Sequence, residues 1–195
     1  MSNSWLKPTI LKGVNVSLIP LNLDHKSELL KAATDGQLWN LWFTSVPSAK
    51  NIDNYLESAL SSKQMLPFTV KNKNGKIIGS TRFCNSEPSN LRLEIGYTWY
   101  AKSTQRTQVN TECKLLLLTH AFEVLNCNAV EFRTHYFNTS SRNAIARLGA
   151  KQDGILRNHR MDADGTLRDT VVFSIIKSEW PVVKKHLNFK LNSNS

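Results

Sequence analysis

The chain has 195 residues, 41% hydrophobic and 21% charged, with a formal net charge of +10. Length and composition suit one globular domain with a substantial core and exclude a disordered chain, and no apolar run approaches the ~18 residues of a membrane span. The basic residues are spread out, with no block of about five like charges, which argues against nucleic acid as the main ligand and leaves a solvated basic surface, an anionic cofactor or an acidic partner.

The opening MSNSWLKPTILKG lacks the continuous apolar core of a secretory leader. Cys84, Cys113 and Cys127 are odd in number and unpatterned in spacing, so buried free thiols in a reducing cytoplasm are expected. His25, His120, His135, His159 and His186 are scattered without ligand spacing, so no metal is expected.

A strand is expected at about residues 13–20, where Val14, Val16 and Leu18 alternate with Asn15 and Ser17. A helix follows Asn22 or Asp24, carries Leu29, Leu30 and Ala33 on one side, and stops near Gly36. The aromatic segment QLWNLWFTSVPS then leads to a second helix, about 48–63, with Ile52, Tyr55, Leu56 and Leu60 at helical spacing. Strands at about 67–72 and 76–84 flank Asn74-Gly75, a hairpin signal, and LRLEIGYTWY (91–100) is a third strand. A long helix at about 111–125, a strand at 129–136 and a short helix at 139–148 ending at Gly149 come next. A hairpin over about 150–176 turns at Asp164-Gly165. Ser178 can cap a last helix to about 187, and the tail at about 188–195 is expected to be flexible. This order makes a single mixed α/β (α+β) domain on a mostly antiparallel sheet of about seven strands. The crossover through 111–125 sets strands 91–100 and 129–136 parallel with a right-handed connection.

Three segments can carry chemistry. STQRTQVNTECKLLLLTH (103–120) places a polar loop without glycine before an apolar helix. The helix start has N–H groups without helical partners, Thr111 and Glu112 stand there, and Arg106 adds charge. That suits an anion such as a diphosphate, and it equally suits a capped helix behind a solvated loop. In LRLEIGYTWY, alternation puts Leu91, Leu93, Ile95, Tyr97 and Trp99 on one face and Arg92, Glu94, Gly96, Thr98 and Tyr100 on the other. Glu94 is then a mid-strand carboxylate, either ion-paired or a general base with a raised pKa. In HYFNTSSRNAIARLGA, Asn138, Ser140 and Ser141 can cap a short helix. Both loops lie beyond the carboxyl ends of the parallel strands, where ligands of α/β sheets bind.

From about residue 10 to 183 these features resemble the GNAT N-acetyltransferases, in particular the RimJ/RimL-type ribosomal-protein alanine acetyltransferases. EIGYTW (94–99) resembles the family's fourth strand. QRTQVN (105–110) falls on its pyrophosphate-loop pattern Q/R-x-x-G-x-G/A. FNTSSRNAIARLGA (137–150) resembles the segment beside the pantetheine arm, and GILRNHRMDADGTLRDTVVFSIIKSEWP (154–181) the closing hairpin. Gln108 and Asn110 stand where the pattern has glycine, and Gln108 is the stronger departure.

The resemblance implies a GNAT fold with helices on both faces of the sheet and acetyl-CoA as acyl donor to an amine acceptor. It implies Glu94 as general base, Ser141 as proton donor to the leaving thiolate with Tyr136 second, and Asn138 orienting pantetheine amides. Tyr97, Thr98 and Trp99 would offer backbone N–H groups, and Gln105, Arg106, Thr107, Gln108, Val109, Asn110 and Thr111 would hold the diphosphate. Trp39, Trp42 and Phe43, with His159, Arg160 and Asp169, could face the acceptor, although the aromatic residues suit a core equally well. A catalytically silent module that binds CoA or a protein is the alternative, and a basic RNA- or ribosome-associated protein is a third. Monomer and homodimer both remain open.

Overall fold

The computed structural model describes residues 5–162 and 164–193. Its strands are β1 (Leu11–Lys12), β2 (Val16–Pro20), β3 (Leu66–Asn72), β4 (Ile77–Glu87), β5 (Arg92–Tyr100), β6 (Ala129–His135), β7 (Lys151–Met161) and β8 (Leu167–Ile176). The helices are α1 (Lys26–Thr34), α2 (Ile52–Ser61), α3 (Val109–Thr119), α4 (Thr139–Arg147) and α5 (Trp180–Asn192). The strands form one eight-stranded sheet in the order β1-β2-β3-β4-β5-β6-β8-β7. Every pairing is antiparallel except β5 with β6.

Local chemistry accounts for several element ends. The β3–β4 turn is tied by Asn72, whose side-chain oxygen accepts from Asn74 N–H and Lys76 N–H, and Gly75 supplies φ +78°. Asn138 caps α4 by accepting from Ser141 N–H at 3.0 Å. Gly149 follows α4 at φ +101°, where a side chain would also press on Val183.

Neighbouring strand residues divide between two apolar clusters, which places the clusters on opposite faces of the sheet. Ile77 packs with Leu29, Ala33, Tyr55, Leu56 and Trp99 beneath α1 and α2. Ile78 packs with Phe83, Leu93, Leu117, Leu118 and Phe132 beneath α3, and α4 and α5 add Ile145, Trp180 and Leu187. Helices thus cover both faces.

Four expectations need correction. The strand expected at 13–20 begins only at Val16: the chain turns at Gly13, whose N–H donates to Val16 O, and a short strand before the turn pairs Leu11 with Leu18. Helix α3 starts at Val109, so Thr111 is buried in the first turn and caps nothing. After Thr119 the helix widens to a π turn over His120–Val124. Helix α5 starts two residues after Ser178 and runs to Asn192, so residues 188–192 are helical, because Leu187 and Leu191 continue the apolar spacing. Asn194 and Ser195 lie outside the described residues.

Glu112 explains the turn at Gly13. Its buried carboxylate accepts from Val14 N–H and Asn15 N–H, fastening the β1–β2 turn to α3. A Cβ at Gly13 would collide with Glu112 Oε1. Glu112→Ala strands both N–H groups, so urea unfolding should show a loss of about 1–3 kcal/mol.

Candidate active site

The parallel ladder between β5 and β6 is short. Arg92, Leu93 and Glu94 pair with Ala129, Val130 and Glu131, and the ladder ends there. Beyond Glu94, β5 keeps β4 on one side, and β6 keeps β8 on its own outer side. The strands therefore part into a wedge that opens toward their carboxyl ends.

A bulge in β5 accompanies the split. The register with β4 shifts between Ser80 and Arg82, and Tyr97 takes φ +52°. The extra residue reverses the alternation expected from sequence. Leu93 and Ile95 share a face as expected, the one toward α3, but Tyr100 shares it too, whereas Trp99 joins the α1–α2 face. Tyr97 packs its ring 4.3 Å from the Arg82 guanidinium, whose other face lies 4.5 Å from the Tyr55 ring. Arg82 is 1% exposed, so this cation between two rings fixes the bulge from within the sheet.

Glu94 stands at the root of the wedge on the α1–α2 side, 7% exposed. Its Oε2 accepts from Asn85 Nδ2 at 2.7 Å and lies 3.7 Å from Arg133 Nε. Burial pushes its pKa above the ordinary carboxylate value, and Asn85 and Arg133 oppose that rise. Glu94 is thus ion-paired with Arg133 and carries a raised pKa. Gly96 makes room for it, since a Cβ there would approach Glu94 Oε1 to 2.9 Å. Arg133 is also held by Glu131 at 2.9 Å, and Glu131 in turn by Arg92, so a charged row runs up β6 to the carboxylate.

On the α3 side, Lys114 reaches into the same wedge. It is 5% exposed. Its Nζ donates to Thr98 Oγ1 at 2.7 Å and lies 5.8 Å from the Phe132 ring. Thr98 Oγ1 also shares a 2.7 Å hydrogen bond with Thr81 Oγ1. Burial lowers the Lys114 pKa from 10.5 to about 8, with the thiols of Cys113 and Cys84 pulling the other way.

The polar loop before α3 is mostly exposed, and several of its side chains hydrogen-bond within the protein. Gln105 Nε2 donates to Tyr100 O at 2.9 Å. The Thr107 hydroxyl donates to Thr104 O and accepts from Val109 N–H. Gln108 Nε2 donates to Leu191 O on α5 at 2.9 Å. The first helical hydrogen bond is Glu112 N–H to Gln108 O, so the N–H groups of Asn110 and Thr111 precede it at the helix start. Arg106, exposed at φ +60°, makes the turn that brings the chain to this helix start.

A cleft of about 760 Å³ lies beyond the end of β6, lined in part by Trp42, His135, Tyr136, Phe137, Asp162 and Arg168. His135 Nδ1 accepts from Phe137 N–H at 3.0 Å, which assigns the ring proton to Nε2, 3.6 Å from Asp162 Oδ2. Trp42 packs edge-on against His135 at 4.8 Å. Burial, then Arg168, lowers the His135 pKa. Tyr136 sits in this cleft with Arg142 over its ring at 4.9 Å, and Ser141 lies in the first turn of α4. Trp42 and Phe43 meet His135, whereas Trp39 packs with the α1–α2 core. Asp169 lines the cleft and pairs with Arg157, and His159 is bonded to Thr170.

A family model described as an acetyltransferase (GNAT) domain matches residues 15–151. The chain belongs to the GNAT acetyltransferase family. A GCN5-related N-acetyltransferase from Brucella melitensis is 30% identical, with a TM-score of 0.84 over 94% of this chain and 85% of that one. Mycobacterium smegmatis RimJ, solved with CoA-disulfide, shares the fold with a TM-score of 0.79 at 19% identity over 94% of this chain and 95% of that one. YdaF of Bacillus subtilis (strain 168), named provisionally as a ribosomal N-acetyltransferase, is 32% identical over 106 residues. That match covers 54% of this chain and 57% of YdaF, so the chain spans little more than half the length of this curated relative. GNAT acetyltransferases use acetyl-CoA, and among the described residues no His, Cys, Asp or Glu cluster could hold a metal. No helix among them is long and apolar enough to cross a membrane.

Within this GNAT domain, sequence reasoning missed Lys114, Arg133, Asn85 and Arg82. Lys114 had a signal: it lies three and four residues before Leu117 and Leu118, on the buried stripe of α3. The other three depend on cross-strand neighbours and left none. Lys114 also has a measurable cost. Below about pH 8 its buried ammonium is charged in the fold and destabilises it. As pH rises from about 8 to 10.5 the native chain releases that proton before the unfolded chain does, and the penalty of about 3 kcal/mol disappears. Lys114→Met should therefore melt at a higher temperature than wild type at pH 7, with the gap closing toward pH 10.5 in circular-dichroism melts.

Proposed function

We propose that the chain transfers an acetyl group from acetyl-CoA to a primary amine, which is a protein N-terminus, a peptide or a small amine. The observation that carries this is Glu94, a buried carboxylate with a raised pKa at the root of a wedge between two parallel strands. The donor's groups fit what is present. The N–H groups at the start of α3 and the Arg106 guanidinium suit a diphosphate, and the parted strands leave backbone free beside Tyr97, Thr98 and Trp99. Acetyl-CoA supplies an activated thioester.

In this reading Glu94 takes a proton from the amine, directly or through water, so that a neutral nitrogen attacks. Backbone N–H groups at the Tyr97 bulge hold the charge that develops on the carbonyl oxygen. Ser141 donates a hydrogen bond to the departing sulfur, with Tyr136 the second candidate. Asn138, whose oxygen caps α4, keeps its amide N–H groups for pantetheine. The acceptor enters by the cleft of Trp42, His135, Phe137 and Asp162. The name of YdaF, provisionally a ribosomal N-acetyltransferase, supports an amine of the ribosome among the acceptors. The silent-module alternative drew on Gln108, and its side chain turns away to α5.

A thiol-release assay with acetyl-CoA over peptides and small amines tests the activity. Binding of acetyl-CoA without turnover on any acceptor would favour the silent module. Glu94→Gln should lower kcat by about 10²-fold or more and abolish the acid limb, which lies above the ordinary carboxylate range because burial raises the Glu94 pKa. Full activity of that variant at neutral pH would remove Glu94 as the base. Gln108→Ala should change acetyl-CoA affinity by calorimetry by no more than about 0.5 kcal/mol, whereas a large change would place that side chain in the binding site.

A further inference from the structure

Lys114 is a cation that the protein leaves without an anion. Among the described residues no carboxylate lies within ion-pair distance of it, and its hydrogen bond is to the neutral hydroxyl of Thr98. An ammonium has three N–H donors, so two remain for another acceptor. The position is specific. Thr98 is four residues past the last β5 residue paired with β6, and Phe132 is the first β6 residue past that pairing. The Nζ atom, bonded to the Thr98 hydroxyl and 5.8 Å from the Phe132 ring, therefore lies on the α3 face of the sheet beside the unpaired stretches of both strands. Glu94 stands across the sheet, engaged by Asn85 and Arg133.

We propose that Lys114 is a catalytic cation whose ammonium stabilises the negative charge that gathers on the coenzyme sulfur as the acetyl group leaves. This rests on the acetyl-CoA reading above. Once the carbon–nitrogen bond has formed, the charge on the carbonyl oxygen returns to carbon, the carbon–sulfur bond breaks, and its electron pair ends on sulfur, facing the Lys114 ammonium. The first proton of the acceptor ammonium passes through Glu94 to solvent before attack, and the second, lost as the amide forms, ends on Glu94. When products depart, that proton returns to solvent and the thiolate takes one from solvent, so charge and atoms balance. Ser141 can donate a hydrogen bond to the same sulfur but brings no charge. A positive charge held in a water-poor wedge acts strongly on a thiolate and needs no reorganisation to do so.

The titratable groups that face Lys114 compete little. Cys84 on β4 and Cys113 on α3 are buried thiols whose pKa values are pushed up, that of Cys113 to about 12, so both stay neutral across the working range. Lys114 itself titrates at about 8, so the ammonium form is present at neutral pH and is lost on the alkaline side. The expected pH profile therefore falls through that region.

The test measures binding protons as well as rate. Calorimetry of free CoA and of acetyl-CoA, in two buffers of different ionisation heat near neutral pH, reports protons released on binding. Wild type should release a proton with free CoA, bound as thiolate beside Lys114, and none with acetyl-CoA. Lys114→Met should bind acetyl-CoA, release no proton with CoA, lose the alkaline limb, and lower kcat by about 10²-fold with little change in the KM of the amine. Lys114→Arg should recover part of kcat while moving the alkaline limb to higher pH. Unchanged proton release and an unchanged pH profile in Lys114→Met would overturn the proposal while leaving the acetyl-CoA reading intact. Acetylation of Lys114 itself, seen by intact mass and peptide mapping, would also overturn it, because the amine would then be a nucleophile. Failure of wild type to bind acetyl-CoA would overturn the underlying reading and the proposal together.

Discussion

The short ladder between β5 and β6 is the constraint on which the site depends. Three residue pairs hold the strands together, and then they part. Had the ladder continued, its hydrogen bonds would have closed the wedge. Instead, the bulge at Tyr97 turns β5, and Arg82 between the rings of Tyr55 and Tyr97 holds that turn inside the sheet. The strain of a positive φ at a tyrosine is offset by ring and cation packing made only once α2, β4 and β5 are assembled.

The bulge also divides the electrostatics. Residues before it send Glu94 to the α1–α2 face, where Asn85 and Arg133 meet it. Thr98, after it, faces α3 and receives the Lys114 ammonium. A carboxylate and an ammonium thus flank one opening from opposite sides of the sheet without neutralising each other. Burial shifts the two pKa values toward each other, Glu94 upward and Lys114 downward. Keeping both charges unpaired with one another costs stability, as active sites often do.

The polar loop before α3 shows how far local pattern carries. A helix start within reach of an arginine was visible in STQRTQVNTECKLLLLTH, and so was the missing glycine. Where the Gln108 side chain goes was not, since its amide donates to a carbonyl of Leu191, 83 residues away. Nor does Gln108 require glycine-like dihedrals: it sits at φ −68°, and Arg106 takes the left-handed conformation instead. The alternation of β5 misled for a similar reason. Period-two patterning assumes an unbroken ladder, and one inserted residue reverses every face beyond it.

The sequence by itself determined most of the order of elements, the parallel pair, a capped start of α4 with Asn138 among the candidates, the hairpin at Asn74-Gly75 and the carboxylate at Glu94. All of these follow from contacts within a few residues or from the period of apolar side chains. Only the tertiary structure decided that the wedge exists, that Arg133 and Asn85 hold Glu94, that Gln108 turns to α5 and that Lys114 enters the wedge. Each of these depends on groups far apart in the chain, and on burial, which sets a pKa only after the sheet and its helices have excluded water.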